Sequence, residues 1–465
     1  MRRLSTLSHR SAGRWVVGVI LVSSVVKVIY AWRYYGFYTG DDVEIHEMVF
    51  ATIFGWDWQA WDIRSAFYPM VFIYPAVAFV EKLGTDDTAF LVFVGRLVVV
   101  AFSGLNIWLT YKIACRAFES IPIGLLAALF LAINKLHLSF ATTVFPRTIS
   151  STFVLLAVWC LLMSGSKKHA ATWAGLTGLT LGVAAAIRFS EILFVIPGLI
   201  HLVMDKRYRD GAVFVLSFVC SLLLIVEVTD VLYWGERLAT LEKMVRYVLT
   251  WPDTLSGQPF YHYLTTLQSW SDWVTFGLAL ASLKLATSRM ALWAFLPVVF
   301  LSFLSHKEAR YLLPVVPFVV MLAAAVSWRL LSSAKGERTA MVVGLLIAMV
   351  ALEVTFLRFR SSEEAVDAAR YVAESADGGV VVQRWTSGGR LYLWKLPWFE
   401  RLTQEQMGDR EYFRASISQE GISWVIVEGQ DVDRLDYDGV LAELEYEAVP
   451  FPTRRRSGEY KLFRR

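Results

Sequence analysis

The chain alternates long apolar runs with short loops rich in Lys and Arg, and that pattern fits only one solvent. A helix needs about 20 mostly apolar residues, at ~1.5 Å each, to cross a bilayer. Residues 15–32, 90–111 and 212–232 each come close to or exceed that length. Of the 465 residues 56% are hydrophobic and only 18% charged, more apolar surface than one water-soluble core can hide. The expected molecule is therefore a polytopic α-helical membrane protein.

Positive residues mark the cytoplasmic ends of spans, and they order the runs into a topology. With Arg2, Arg3, Arg10 and Arg14 inside, the run 15–32 is read as a retained first helix that delivers Arg33 to the other side. Residues 67–83 are short and contain Pro69 and Pro75, so they are read as juxtamembrane or re-entrant. The return falls to 90–111, which ends in Lys112 and Arg116. Continued alternation brings Lys167 and Lys168, then Lys206, Arg207 and Arg209, then Lys284 and Arg289, then Arg329 and Lys335 to the inner face. About eleven spans satisfy the rule at every internal turn. Two long stretches are left outside, a first loop at residues 33–89 and a later one at 233–270.

Composition changes near residue 358. Residues 1–357 are expected to form the membrane domain, and 358–465 a small extracytoplasmic α/β or α+β domain, with a charged helix at 363–374 and strands at 380–382 and 424–427. Cys115, Cys160 and Cys220 lie in or beside apolar runs, without metal-ligand spacing, and read as packing residues. No metal site, nucleotide-binding glycine loop or nucleic-acid signature is found. Asn106 and Asn134 are the only asparagines, and neither opens an Asn-x-Ser/Thr acceptor. That favours a bacterial plasma membrane with a periplasmic tail; an endoplasmic reticulum membrane with a luminal tail is the alternative.

The chemistry-bearing residues all fall on the external face of this topology. Asp41 and Asp42 follow the first membrane exit directly, where a partly buried carboxylate could act as general base. The plain alternative is a hydrophilic loop that contains acids. His306, Lys307, Glu308 and Arg310 are wedged between two apolar runs, where fixed charge is costly and tends to serve a purpose. They suit a lipid phosphate and the charge it gains on leaving, with snorkelling cations as the bland reading. Arg147 and Arg188 stand at helix ends on the same face, each by itself an interface anchor or a ligand. Tyr261 and His262 fall in an aromatic stretch that either lines a sugar or prenyl groove or forms an interfacial belt.

These motifs resemble glycosyltransferase family 22, the GPI-anchor and N-glycan mannosyltransferases and their bacterial relatives, within the GT-C superfamily. His306-Lys307-Glu308-Ala309-Arg310-Tyr311 is similar to the family's His-Lys-Glu-x-Arg-Phe signature. Asp41-Asp42 resembles its Asp-Glu pair, and Trp61-Asp62 with Ile63-Arg64-Ser65 resembles its Trp-Glu-Trp and Ile-Arg-Ser stretch. Arg147-Thr148 and Arg188-Phe189 fall, in the same chain order, where further family motifs are expected. The match spans roughly residues 15–330; Asp42, Asp62 and Ser151 depart from it.

The resemblance implies a GT-C fold and inverting transfer of a hexose, mannose favoured, from a polyprenyl-phosphate sugar to a lipid-linked glycan or glycolipid, without a cofactor. Under it Asp41 is the base with Asp42 as partner or substitute. His306, Lys307 and Arg310 cradle the phosphate with help from Arg147 and Arg188, and Trp61, Asp62, Arg64, Tyr261 and His262 meet substrate. The implied partners are membrane lipids, the lipid-linked donor and the glycan acceptor, with no nucleic acid. A transporter or flippase is the rival, although no inverted repeat is visible. An inactive scaffold is the third reading.

Overall fold

A computed structural model describes residues 9–56, 65–165, 169–250, 257–285, 289–304, 306–333, 337–355, 363–375, 378–382, 389–393, 396, 399–401, 409–428, 432, 437–453 and 460–465. The chain divides into two compact units, each visited more than once. Met1–Ile29, Trp61–Phe72 and Arg96–Arg358 form the first, and Tyr30–Ala60, Ile73–Gly95 and Phe359–Arg465 the second.

Through its first half the chain runs α1 (His9–Arg33), α2 (Gly40–Phe54), a π-turn (Pro69–Ile73), α3 (Tyr74–Lys82), α4 (Thr88–Ala117), α5 (Ile121–Ile133), α6 (Lys135–Phe140), α7 (Arg147–Met163) and α8 (Ala170–Ile187). A 3₁₀ turn (Phe189–Phe194) then leads to α9 (Val195–Met204), α10 (Tyr208–Trp234), α11 (Ala239–Thr250), α12 (His262–Thr265), α13 (Trp273–Ala281), α14 (Met290–Ser302), α15 (Val316–Ser333) and α16 (Glu337–Thr355). Among the described residues five helices, namely Ser11–Arg33 within α1, α4, α8, α10 and α15, are long and apolar enough to cross a bilayer. Several shorter apolar helices stand beside them.

The juxtamembrane reading of 67–83 meets the π-turn and α3, whose nine residues reach only about 13 Å, too short to span. Pro69 opens the π-turn and Pro75 falls in the first turn of α3, where its missing N–H costs nothing. The described part of the stretch 233–270, read from the sequence as an external loop, carries the amphipathic α11 and the short α12.

Within the first unit, α8 and α10 pack backbone to backbone. A Cβ on Gly178 would lie 2.1 Å from the carbonyl oxygen of Phe214, and one on Gly182 would lie 2.8 Å from Cβ of Ser221. Two glycines four apart let the helices approach where lipid supplies no hydrophobic drive for association. This pairing fixes the C-terminal end of α8, where Arg188 stands, and the 3₁₀ turn that carries Glu191.

The tail holds α17 (Glu363–Ser375), α18 (Gly389–Leu393), α19 (Arg410–Ile417) and α20 (Tyr437–Glu443) with a five-stranded sheet. Its strands are β1 (Gly379–Val382), β2 (Phe399–Arg401), β3 (Ile422–Glu428), β4 (Glu447–Ala448) and β5 (Tyr460–Arg464), in the order β2-β1-β3-β5-β4. β1 is parallel to β2 and β3, while β5 runs antiparallel to β3 and β4. Val381, Val425 and Val427 form the buried floor on which Phe413 and Tyr437 stack at 3.9 Å. Within the same unit α18 packs on α2, and the Tyr35 hydroxyl donates to Asp367 Oδ1 of α17 at 2.5 Å. The tail thus braces the segment that carries the acidic pair.

Candidate functional site

Three stretches of the first unit bring their cations together. Arg147 opens α7 with only 2% of its surface exposed. Its Nη1 lies 3.5 Å from both carboxylate oxygens of Glu191 and donates to the Tyr311 carbonyl at 3.4 Å, while the guanidinium lies 4.6 Å from the Tyr311 ring centroid. Glu191 is itself buried and accepts from the Ser150 and Ser190 hydroxyls at 2.6 and 2.5 Å. The buried Phe145 ring then joins two more cations, with Arg188 at 5.3 Å and Arg310 at 5.0 Å from its centroid. Aromatic faces accommodate guanidinium charge without neutralising it. Phe145 is in turn anchored from behind, since the Tyr68 hydroxyl donates to the carbonyl of its neighbour Val144 at 2.6 Å.

The loop from His306 to Tyr311 is held from both sides. Glu308 accepts from Arg310 Nε through one oxygen and lies 3.2 Å from His306 Nε2 through the other. Lys307 is 3% exposed; its amide donates to the Gln258 side chain at 2.8 Å, and its ammonium to the carbonyls of Gln258, at 2.7 Å, and Leu304. Those carbonyls are neutral, and among the described residues no carboxylate forms an ion pair with Lys307. Burial lowers the affinity of the Lys307 amine for its proton. Burial and the Arg310 charge do the same for His306, and burial followed by Lys307 and His306 for His262. For both histidines burial is the larger cause and the surrounding positive charge the second.

The acidic pair belongs to the second unit. Thr39 caps α2, its hydroxyl accepting from the Asp42 amide at 3.3 Å, so that Asp41 and Asp42 fill the first helical turn. There the helix dipole favours ionised carboxylates. Asp42 is fully buried and Asp41 7% exposed. His46, one turn on, directs Nδ1 at the Asp42 carbonyl at 2.8 Å and lies 3.6 Å from its Oδ1, while Nε2 lies 3.3 Å from the Val92 carbonyl. Glu44 and Glu47 of the same helix are also buried.

Of the residues singled out in the sequence, Arg147, Arg188, His306, Lys307 and Arg310 share this one neighbourhood of the first unit. His262 opens α12 within electrostatic range of Lys307 and His306, and Tyr261 beside it is 59% exposed. Trp61, Asp62 and Arg64 lie outside the described residues. Sequence reasoning passed over Glu191, Phe145, Gln258 and His46. Only His46 left a local signal, four residues after Asp42 on one helical face.

The Alg9-like mannosyltransferase family profile matches residues 42–379. The chain belongs to that family. Its fold is that of the GT-C membrane enzymes. It superposes on apo ArnT from Cupriavidus metallidurans with a TM-score of 0.67 at 14% identity, covering 97% of this chain and 98% of that one. The same enzyme bound to undecaprenyl phosphate gives 0.66 at 13% identity over 96% and 97%. The Archaeoglobus fulgidus oligosaccharyltransferase tethered to an acceptor peptide gives 0.61 at 10% identity over 94% and 74%. No curated protein matches in sequence. This Alg9-like chain is thus a multi-pass helical membrane protein of a glycosyltransferase family, with a small C-terminal sheet domain.

Proposed function

We propose that the protein transfers a hexose, mannose favoured, from a polyprenyl-phosphate sugar to a hydroxyl of a lipid-linked glycan or glycolipid on the non-cytoplasmic side of the membrane. The observation that carries this reading is the convergence of Arg188 and Arg310 on Phe145, beside Lys307, whose ammonium donates to the carbonyls of Gln258 and Leu304. Such a group of buried and half-buried cations suits a phosphate that gains charge as it leaves. ArnT in complex with undecaprenyl phosphate, and the archaeal oligosaccharyltransferase AglB with a dolichol-phosphate, make a lipid phosphate the natural candidate for this chain.

The residues divide the work. The carboxylate of Asp41, or of Asp42 in its place, takes the proton of the acceptor hydroxyl as its oxygen attacks the anomeric carbon from the face opposite the phosphate. The bond from that carbon to the phosphate oxygen breaks, and its electron pair leaves with the lipid phosphate. Lys307, Arg310 and His306 hold that charge, aided by Arg188. A phosphate departs as a stable anion, so no general acid is required. Arg147, already matched by Glu191, acts through the position of Tyr311. Trp61, Asp62, Arg64, Tyr261 and His262 are assigned to the sugar and acceptor. The N-terminus is placed in the cytoplasm of a bacterial cell and the tail outside.

The test is transfer by purified protein from labelled polyprenyl-phosphate hexoses to candidate acceptor lipids, comparing wild type with Asp41→Asn and Asp42→Asn. Transfer by wild type and its collapse in one variant support the reading. Equal turnover in all three proteins removes the proposed base, and no transfer from any donor returns the case to a transporter or scaffold.

A further inference from the structure

A second lipid-shaped feature lies away from these motifs, between α9 and α10. It is a groove of about 560 Å³ lined by apolar side chains, among them Leu202, Val203, Val215 and Leu216. Gly211 and Ala212 form its floor near one end. A Cβ on Gly211 would meet nothing within 4 Å, so the space above the glycine is open. From Gly211 to Val219 the groove follows α10 for about 12 Å, the reach of a good part of an acyl chain.

One end of the groove is charged. The turn between the helices presents Lys206 and Arg207, and the first turn of α10 adds Arg209, with Arg207 and Tyr208 lining the groove. Arg207 donates from Nε to Asp210 at 2.8 Å and from Nη1 to Ser164 at 2.9 Å, yet its Nη2 is buried with no hydrogen-bond partner. Asp205, the other acid of the turn, is taken by Arg289 at 2.7 Å. Among the described residues Lys206 and Arg209 have no ion-pair partner, and both are exposed. An apolar channel therefore ends in two unmatched cations and one unsatisfied guanidinium donor. Neutral lipid would fill the channel and leave the charges unanswered; an anion without a chain would do the reverse.

We propose that this groove binds an anionic glycerophospholipid. One acyl chain lies along α9 and α10 over Gly211, and the headgroup phosphate faces Lys206, Arg207 and Arg209. Basic pockets between membrane helices bind anionic headgroups in this manner. On the positive-inside reading the lipid comes from the cytoplasmic leaflet, so the site is separate from the transfer chemistry and stands whether or not that reading survives.

The probes are dioleoylphosphatidylglycerol, dioleoylphosphatidylcholine and inorganic phosphate, each added to the full-length protein in detergent. Lipid retention is read by native mass spectrometry and stability by thermal unfolding. Wild type is expected to retain one phosphatidylglycerol and to gain a higher Tm from it than from phosphatidylcholine. Gly211→Leu projects a side chain into the open space above the glycine and is expected to abolish retention while leaving the circular dichroism unchanged. Lys206→Gln with Arg209→Gln weakens the preference by about fivefold per cation removed. The proposal is overturned if the two lipids are retained equally, if Gly211→Leu keeps the phosphatidylglycerol, or if inorganic phosphate alone reproduces the shift.

Discussion

The acids of α2 are buried, the cations around Phe145 are buried or half-buried, and the two groups are stabilised in different ways. Asp41 and Asp42 lean on a capped helix N-terminus, whose amides and dipole favour negative charge, and Asp42 has His46 one turn away. The cations have no such terminus. Arg188 and Arg310 stack on the Phe145 ring, Arg310 also pairs with Glu308 of its own loop, Lys307 donates to carbonyl oxygens, and Arg147 pairs with Glu191 across the fold. The difference separates working charge from structural charge. The acids sit on backbone amides, the cations assigned to the phosphate sit on a ring, on carbonyls and on a carboxylate of their own loop, and the arginine assigned to the fold pairs with a carboxylate 44 residues away.

The comparison breaks first at the acids. Replacing a general base costs about 10²–10⁴ in rate, so Asp41→Asn or Asp42→Asn is expected to cut turnover by about that factor and leave binding of polyprenyl phosphate nearly unchanged. The check is steady-state transfer set beside equilibrium binding. If both carboxamides weaken binding as much as turnover, the acids belong to the donor site and the contrast fails.

Arg147 supplies the next test. Removing one partner of a buried ion pair leaves an uncompensated charge and costs about 3–5 kcal/mol. Glu191→Ala should therefore lower the unfolding midpoint sharply, an effect read by thermal unfolding in detergent. Arg188→Ala, which removes a half-buried cation stacked on an aromatic ring, should leave the midpoint nearly in place. Similar losses in both would erase the distinction between structural and working cations. Lys307→Ala and Arg310→Ala come next: a hydrogen bond to a charged group is worth about 1.5–3 kcal/mol, so each should weaken polyprenyl-phosphate binding by about 10- to 100-fold.

The sequence displayed these regions unequally. The helices of the bundle were legible because lipid demands a run of fixed length, and the loop from His306 to Arg310 because charge at a membrane exit is costly enough to stand out. The strand at 380–382 and the longer one around 424–427 were visible as short β-branched runs, and they became β1 and β3. The helix under the acids was missed although Thr39, three residues before Asp42, is an N-cap signal. The amphipathic α11 could likewise have been found by its period. Glu191 could not. It lies 44 residues from Arg147, and only folding shows that a carboxylate answers that arginine while a ring answers Arg188. Phe145 is equally silent in the sequence, because one aromatic among 30 phenylalanines carries no sign that two guanidiniums will share it.

The smallest effect concerns His306, and its sign follows from its surroundings. Burial and Arg310 hold the imidazole below its ordinary proton affinity, so in the empty site it is neutral near pH 7. A bound phosphate brings negative charge and raises that affinity, so binding takes up a proton over the pH range between the two values. Across that range the His306 contribution to donor affinity grows as pH falls, and it levels off once pH drops below the value of the empty site. The phosphate's own second ionisation works in the opposite direction, which is why wild type must be compared with His306→Gln over the same buffers. The ratio of wild-type to His306→Gln affinity for polyprenyl phosphate is expected to rise by less than about tenfold between roughly pH 8 and pH 6. A flat ratio would mean that the imidazole does not meet the phosphate and serves instead to hold Glu308, whose carboxylate lies 3.2 Å away, in register for Arg310. His306 would then move from the working cations to the structural ones.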